Sequence, residues 1–191
     1  ANTHLEWDPV HALIREYLVL PTTTSAQKQG RTSKLRGDQV VHVGAILGLA
    51  VGYAGTGRKD VMDLFLGFLE QSDCFEASAY CVLGLGMVGV GSGDSDIVTS
   101  IVTWVISQRE TVVATDPLMR YAALGMALFY YRLGLKFVEP ILETVKMFPS
   151  ALDRFCSALI VAMACAGSCD MVQIQRLMER CTTPATTSAT A

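Results

Sequence analysis

CVLGLGMVGVGSGDSD, residues 81–96, contains three glycines, Gly84, Gly86 and Gly89, at the spacing of a dinucleotide-binding turn. Such a turn joins a β-strand to the helix whose N-terminus receives the pyrophosphate. The residues that lead into Gly84, FEASAYCVLG with Gly84 last, favour helix rather than strand, and a single match to this spacing is a weak signal. We therefore interpret the glycines as small residues on a helix, which let the backbone of a neighbouring helix approach closely.

Four apolar stretches recur along the chain, and the quoted residues overlap the second of them. They cover residues 41–55, 77–91, 120–134 and 155–167. Each stretch ends at a glycine, and these glycines, 36, 43 and 33 residues apart, are Gly55, Gly91, Gly134 and Gly167. A period of this size is typical of stacked helical hairpins.

Amphipathic segments alternate with the apolar stretches. DIVTSIVTWVIS, residues 96–107, has an apolar face and, at helical spacing, a polar stripe that consists of Asp96, Ser100, Thr103 and Ser107. The same type of pattern recurs at residues 8–19, 58–71, 136–147 and 170–181. A helix that is apolar on all sides must be covered on all sides, so the apolar helices are expected to form an inner layer under the amphipathic ones. The sequence therefore predicts an all-α fold, an α-solenoid of helical-hairpin repeats.

The predicted organisation is a single array of repeats with two irregular segments. It comprises an outer helix at about residues 8–19 and repeats at about residues 40–72, 74–109, 115–147 and 150–181. Residues 21–39 are polar without periodicity and predict a flexible insertion. The closing TTPATTSATA, residues 182–191, is of low complexity and predicts a disordered tail. Since such an array has no closed core at its two ends, we expect exposed apolar surface or self-association there.

The composition of the chain limits the classes of function. A net charge of −3 gives no reason to expect a nucleic-acid partner. Reduced, partly buried thiols are expected, since no CxxC pair occurs among Cys74, Cys81, Cys156, Cys165, Cys169 and Cys181. Because the three histidines lie far from Cys165 and Cys169 in sequence, we expect no zinc site. No nucleophile has a plausible base, so we expect neither an enzyme nor a cofactor.

A small membrane protein is the remote alternative. Residues 41–57 and 77–93 lack Lys, Arg, Asp and Glu over 17 residues each. A membrane-spanning helix needs about 20 apolar residues, and the third apolar stretch has only 11 residues between Arg120 and Arg132. The amphipathic segments would also have no role in a membrane, and we therefore expect no membrane partner.

The glycine-rich stretches LGLAVGYAG and VLGLGMVGVGSG, each followed by an amphipathic helix with acidic residues near its start, resemble the proteasome/cyclosome repeat. Five stretches carry the resemblance, in this order and between about residues 8 and 181: DPVHALIREYLV, GAILGLAVGYAGTGRKDVMDLFL, VGVGSGDSDIVTSIV, RYAALGMAL and CAGSCDMVQIQRLMERC. The family occurs in the two large non-ATPase subunits of the proteasome regulatory particle and in the scaffold subunit of the anaphase-promoting complex. The match is closer to the ubiquitin-receptor subunit of the regulatory-particle base.

The resemblance implies an arc of an α-toroid with concentric inner and outer rings of helices. It also implies a non-catalytic role in the cytoplasm and nucleus. Such a protein is a scaffold and docking platform for ubiquitin, for ubiquitin-like domains of shuttle factors and for a deubiquitinase. Its other partners are the remaining regulatory-particle subunits, including the ATPase ring. The alternative is a structural segment that only completes the toroid, with a weakened or absent ubiquitin site.

The resemblance also indicates which residues face a ubiquitin-like partner. In the family, acidic side chains at the start of an outer helix, and two and three turns later, meet the basic, apolar face of ubiquitin. Asp96 matches the first acidic position, with Asp94 beside it, whereas Thr103 and Ser107 occupy the later two. Charges at such an interface act mainly through complementarity and association rate, so the two hydroxyl residues should weaken binding. The remaining residues assigned to the surface are Ser100 and the acidic Asp73, Glu139 and Glu143.

Asp94 and Asp96 also have a local explanation. An Asp near a helix N-terminus accepts hydrogen bonds from free backbone N–H groups and suits the helix dipole. We expect the two residues to cap the outer helix, and whether they also contact ubiquitin is left open by the sequence.

Overall fold

The computed structural model describes residues 32–108, 113 and 115–182. Within these residues the regular structure includes one short 3-10 helix, Leu135–Phe137, and eight α-helices. In chain order these are α1 (Thr32–Gly52), α2 (Lys59–Gln71), α3 (Phe75–Val88), α4 (Ser95–Ser107), α5 (Met119–Leu128), α6 (Glu139–Val145), α7 (Ser150–Ala164) and α8 (Met171–Thr182). The outer helix predicted at residues 8–19 and nearly all of the predicted tail at 182–191 lie outside the described residues.

The helices form two layers, as the all-α solenoid prediction requires. The odd-numbered helices pack side by side in chain order, α1 on α3, α3 on α5 and α5 on α7. The even-numbered helices lie outside them, with α2 packed on α3 and α6 packed on α7. Gly84 and Gly86 lie within α3 and Gly89 caps it, so the glycines of the quoted stretch belong to an inner helix.

The two kinds of helix differ in burial as the sequence pattern predicts. Helix α3 is buried on nearly every side, because inner helices flank it and α2 covers it. Helix α4 buries one face, formed by Ile97, Val98, Ile101, Val102 and Val105. Its polar stripe is exposed. Segments that are apolar on all sides therefore form the inner layer, and segments with a single apolar face form the outer layer.

Backbone hydrogen bonds connect each turn to the next inner helix. Two N–H groups from the turn after one inner helix donate to the last carbonyl groups of the following one. The pairs are Gly55 to Met87 (2.8 Å) and Gly57 to Val88 (2.9 Å), Gly91 to Leu128 (2.9 Å) and Gly93 to Phe129 (3.0 Å), and Arg132 to Met163 (2.9 Å) and Gly134 to Ala164 (3.1 Å). Carbonyl groups at a helix C-terminus have no partner within their own helix, so these bonds satisfy them across the repeat interface.

The donors of this ladder share a left-handed backbone conformation. Gly55, Gly57, Gly91 and Gly93 have φ between 62° and 69°, which glycine adopts without steric cost. In the third turn Arg132 takes the place of the first glycine and still adopts φ 62°. The glycines at the ends of the apolar stretches therefore give each turn the left-handed conformation in which its N–H groups point towards the next inner helix.

Helices α3 and α5 approach each other at two glycines. A Cβ atom added to Gly86 would overlap the backbone of Gly125, and one added to Gly125 would overlap the backbone around Val82. One added to Gly89 would lie 2.6 Å from the ring of Phe129. These contacts confirm that small residues on the inner helices allow close approach of neighbouring backbones.

The structure differs from the sequence prediction at the start of the array. Helix α1 begins at Thr32, inside the segment 21–39 that was predicted as a flexible insertion, so its last residues are helical. Lys34, Leu35 and Arg36 are good helix formers, and no proline interrupts the helix up to Gly52. Polar composition alone does not exclude that an apolar helix continues into a polar segment.

Helix α6, the third outer helix of the described residues, is shorter than the amphipathic segment at residues 136–147 from which it is predicted. A 3-10 turn at Leu135–Phe137 precedes α6, which begins at Glu139 with Pro140 in its first turn. Proline lacks an N–H group and its ring clashes with the carbonyl group four residues earlier, so a continuous α-helix through Lys136 is blocked.

Gly125→Ala should lower the free energy of unfolding by about 3 kcal/mol or more, because a methyl group there forces two backbones apart. Gly44→Ala is the control, since Gly44 is exposed on α1 and a Cβ there meets no atom within 4 Å. That variant should gain about 0.5–1 kcal/mol from helix propensity. Urea denaturation followed by circular dichroism measures both, and equal effects would contradict the close approach.

Candidate functional site

The start of α4 is organised by Asp94. Its Oδ1 atom accepts hydrogen bonds from the backbone N–H groups of Asp96 (3.1 Å) and Ile97 (3.3 Å). The N–H group of Asp94 in turn donates to the Ser92 hydroxyl (3.4 Å). The predicted capping role of Asp94 is therefore confirmed, and one of its carboxylate oxygens is engaged within the turn.

Asp170 repeats this arrangement at the start of α8. Its Oδ1 atom accepts from the N–H groups of Val172 (3.1 Å) and Gln173 (3.2 Å), and its own N–H group donates to Ser168 (3.3 Å). The Ser-x-Asp pattern is thus a feature of the repeat. The cap therefore accounts for Asp94 as an element of the repeat, without reference to a partner.

The stripe of α4 is exposed but offers few hydrogen-bond donors. Each of its hydroxyl groups donates to a backbone carbonyl group of the same helix: Ser100 to Asp96 (3.1 Å), Thr103 to Thr99 (2.9 Å) and Ser107 to Trp104 (2.7 Å). A hydroxyl with its proton engaged still has a free lone pair. Together with the exposed carboxylate of Asp96, the stripe therefore presents hydrogen-bond acceptors to solvent. Ser95–Ser107 contains no basic residue.

Asp73 lies away from the start of α4. It occupies the turn between α2 and α3, and is exposed. Because α3 runs from that turn towards the turn that begins α4, Asp73 lies at the opposite end of the repeats from Asp94 and Asp96. An α-helix of 13 residues such as α4 is about 20 Å long. The structure therefore places Asp73 near the level of Ser107 and not beside the two capping aspartates.

Glu139 and Glu143 are exposed on α6, the next outer helix, but basic side chains lie close to both. Glu143 pairs with Lys146 on the same helix at 2.7 Å. Glu139 borders a groove between α6 and α8 that Arg176 also lines. Each cation reduces the negative potential that these glutamates add, and within α4 itself Asp96 is the exposed carboxylate.

A groove beside the stripe, lined by exposed apolar side chains and by Gln108, was not identified from the sequence. Ile106 on α4 and Met147 after α6 are 54% and 67% exposed, and both line this groove with Val105 and Phe148. Ile106 follows Thr103 by three residues and so lies on the polar face of α4. The sequence contained one indication of this groove, because Ile106 is an apolar residue within the polar stripe. Only the tertiary fold brings Met147 beside Ile106.

The described cysteines are free thiols with different reactivity. Burial raises the pKa of the Cys81 thiol, which donates to the carbonyl group of Phe65 (3.2 Å). Burial and, to a lesser extent, the charge of Asp153 raise the pKa of Cys156 to about 12. Burial and Asp170 also raise the pKa of Cys165, whereas Cys169 is exposed. Cys81 and Cys156 are therefore protonated core residues at neutral pH.

In the part of the chain that the structure describes, no cluster of His, Cys, Asp and Glu has the arrangement of a metal site. None of the helices described there combines the length and the apolar character that crossing a membrane requires.

The chain is similar in sequence to subunits of the proteasome. The 26S proteasome regulatory subunit rpn-1 of Neurospora crassa is 28% identical over 143 residues, which are 74% of this chain and 16% of that protein. The corresponding rpn1 of Schizosaccharomyces pombe is 28% identical over 133 residues, 69% of this chain and 15% of that protein. The 26S proteasome non-ATPase regulatory subunit 2 of Dictyostelium discoideum is 32% identical over 141 residues, 73% of this chain and 15% of that protein.

These similarities confirm the resemblance on which the sequence analysis rests, although no family model matches the chain. Over about 70% of its length the chain is homologous to part of this proteasome regulatory subunit. It spans only 15–16% of the length of these relatives.

Asp94→Ala should lower the free energy of unfolding by about 1 kcal/mol, because it leaves two N–H groups of α4 without an acceptor. Asp94→Asn should retain nearly all of the stability, since Asn caps equally well. Asp96→Asn, which removes a charge but no capping bond, should cost a few tenths of a kcal/mol at most. Chemical denaturation distinguishes the three, and an equal loss at both positions would contradict the assignment of the cap to Asp94.

Iodoacetamide at pH 8 should modify Cys169 in the native protein and leave Cys81 and Cys156 unmodified until the protein unfolds. Peptide mass spectrometry measures each site. The pKa values of the Cys81 and Cys156 thiols are higher in the folded state than in the unfolded state. The two protonated thiols therefore contribute fully to stability below about pH 8.5, the pKa of an unfolded cysteine. This contribution is lost as the pH rises above that value. Rapid native alkylation of Cys81 would contradict its burial.

Proposed function

We propose that the chain is a non-catalytic scaffold and docking segment of the proteasome regulatory particle, in the cytoplasm and nucleus. Its homology to a proteasome regulatory subunit and its two-layered array of helices support the scaffold role. An array of this kind contacts neighbouring proteins over a long surface without a catalytic centre. The partners include other subunits of the particle, among them its ATPase ring.

The docking part of the proposal concerns the exposed face of α4. Ubiquitin, or the ubiquitin-like domain of a shuttle factor or deubiquitinase, binds there through its basic, apolar face. Asp96 supplies negative charge, and the acceptor oxygens of Ser100, Thr103 and Ser107 extend it along the helix. Ile106 and Met147 supply the apolar contact beside the stripe. The single observation that carries this proposal is the exposed polar stripe of α4, whose hydroxyl protons bond to its own backbone, bordered by a groove with the exposed side chains of Ile106 and Met147.

The weaker charge of this surface predicts modest affinity. Two of the three positions that are acidic in the related repeats carry hydroxyl groups, and the protons of these groups are bonded to the backbone of the helix. Glu143 is paired with Lys146. Association should therefore be slower and less sensitive to salt than at a fully acidic surface.

A structural role is the second candidate, and the same hydroxyl groups favour it. In that case the segment completes a toroid and holds its subunit in place, and the α4 stripe is a solvated face without a partner. The two candidates differ in what happens when the charge of the stripe is changed.

Titration of the isotope-labelled chain with ubiquitin and with a ubiquitin-like domain should shift the amide resonances of α4 around Asp96. Asp96→Arg should weaken binding on the order of tenfold, because an attractive charge becomes repulsive. Thr103→Glu combined with Ser107→Glu should strengthen binding by a similar factor, on the order of tenfold.

Glu76→Arg is the matched control for Asp96→Arg. Glu76 is exposed in the first turn of α3, as Asp96 is in the first turn of α4. Reversing either side-chain charge therefore has the same effect on the dipole of its helix. This control should bind as the original chain does. Absence of α4 shifts at millimolar ubiquitin in both the original chain and the Thr103→Glu, Ser107→Glu variant would leave only the structural role.

A further inference from the structure

The turn between α3 and α4 connects the end of α5 to the start of the proposed docking surface. The N–H groups of Gly91 and Gly93 donate to the last carbonyl groups of α5, on Leu128 (2.9 Å) and Phe129 (3.0 Å). Asp94, the residue that caps α4, follows Gly93 directly in the chain. The helix that carries the surface therefore begins next to a hydrogen bond to the following inner helix.

Hydrogen bonds continue from this anchor into the first turn of α4. The N–H group of Asp94 donates to the Ser92 hydroxyl, and the Asp94 carboxylate accepts from the N–H group of Asp96. The backbone carbonyl group of Asp94 accepts from the N–H group of Val98 (3.2 Å). Because these bonds follow one another along the chain, the position of Asp96 depends on where the end of α5 lies.

The neighbouring turns lack this direct connection. After Gly57, the residue before α2 is Arg58, whose side chain makes no capping bond to the helix. After Gly134, the 3-10 helix and Val138 separate the turn from α6. Of the three turns that donate to an inner helix within the described residues, only the turn before α4 leads straight from its anchor into a side-chain cap.

The buried face of α4 does not by itself fix the helix along its axis. Its residues are all aliphatic, namely Ile97, Val98, Ile101, Val102 and Val105. A shift of one turn, about four residues or about 6 Å, would put Ile101 where Ile97 lies and would again place aliphatic residues in the core. Since such side chains pack without directional bonds, contacts at the two ends of α4 decide its register.

One such contact lies at each end of the helix. At the start, the Gly93 N–H group is bonded to the end of α5. In the last turn, Trp104 stacks on Phe75 of α3, with ring centroids 6.0 Å apart and an angle of 15° between the ring planes. Asp96 lies at the Gly93 end, so loss of the Gly93 bond releases Asp96 while the far end of α4 is still held.

From these observations we infer that Gly93 is a positioning residue for the docking surface on α4, an inference that rests on the proposed function. Gly93 acts through Asp94, because its bond to Phe129 holds the turn from which the helix begins. Partner binding at α4 and the bond between Gly93 and α5 therefore stabilise each other, since coupling between two sites is reciprocal.

Gly93→Ala tests the inference in the whole chain, and Gly57→Ala is its matched control. The two glycines have φ 63° and 62°, and both donate to the end of an inner helix. The two variants therefore carry the same left-handed strain, but only one of them alters the turn before α4. A Cβ atom at Gly93 would also lie 2.9 Å from Cδ1 of Leu133, the flexible end of a side chain, whereas one at Gly57 meets no atom within 4 Å.

Titration with a ubiquitin-like domain, followed by NMR, measures the Kd of each variant. Gly93→Ala should raise the Kd about fivefold or more, and Gly57→Ala should leave it unchanged. Gly93→Asn should restore most of the affinity, because Asn adopts the left-handed conformation more readily than Ala. A nuclear Overhauser cross-peak between the rings of Trp104 and Phe75 reports that the far end of α4 is still packed.

Hydrogen exchange of the original chain is a second test, which needs no substitution. A saturating concentration of the ubiquitin-like domain should slow exchange of the Gly91 and Gly93 N–H groups more than exchange of the corresponding groups of Gly55 and Gly57. This comparison decides the inference even if Gly93→Ala does not fold.

Two outcomes would overturn the inference and leave the proposed function intact. One is a folded Gly93→Ala variant that binds no more weakly than Gly57→Ala. The other is equal slowing of exchange in both turns, which indicates that the partner stabilises the fold as a whole. Absence of binding by the original chain is a different result, because it contradicts the proposed docking function and this inference together.

Discussion

The stacking of the inner helices depends on contacts between backbones. At the crossing of α3 and α5, Gly86 and Gly125 bring two main chains closer than any side chain permits. This approach places the end of one inner helix within hydrogen-bonding distance of the turn that follows the other. The carbonyl groups that would otherwise be left without partners at each helix end are thereby satisfied by the previous repeat. A repeat of this kind is complete only when neighbours lie on both sides, since one neighbour supplies donors and the other supplies acceptors.

This architecture separates stability from recognition. The inner layer consists of apolar side chains and glycines, whose identity is constrained by close packing. The outer helices need only one apolar face, so their exposed stripes are free to vary. On α4 that freedom is visible in Thr103 and Ser107, whose hydroxyl groups bond to the backbone of their own helix and leave acceptor oxygens outward. The resulting surface of α4 presents oxygen acceptors, as an acidic stripe would, but carries less negative charge. Such a surface suits a weak, transient partner better than a permanent one.

The two ends of the array behave differently from its interior for the same reason. Inside the array, each left-handed turn has an acceptor helix and each glycine face has a covering helix. At the ends of the described residues, Cys169 adopts φ 55° and no described carbonyl group accepts from its N–H group, and Gly52 and Val51 are exposed. A repeat array places each unit only against its neighbours, so such groups lie at the ends of the part that is described.

The sequence by itself determined the fold class, the alternation of inner and outer helices and the cap at Asp94, because hydrophobic periodicity and helix-start residues are local signals. It also favoured Gly84, Gly86 and Gly89 as small residues on a helix over a nucleotide-binding turn. It did not show that α1 extends back to Thr32, since the polar residues at the start of this helix carry no periodic signal. Only the tertiary structure decided that Gly86 meets Gly125, that Ile106 and Met147 share a groove, and that Asp73 lies far from Asp94. These relations join residues distant in the chain, and they depend on how helices cross, which local sequence patterns do not specify.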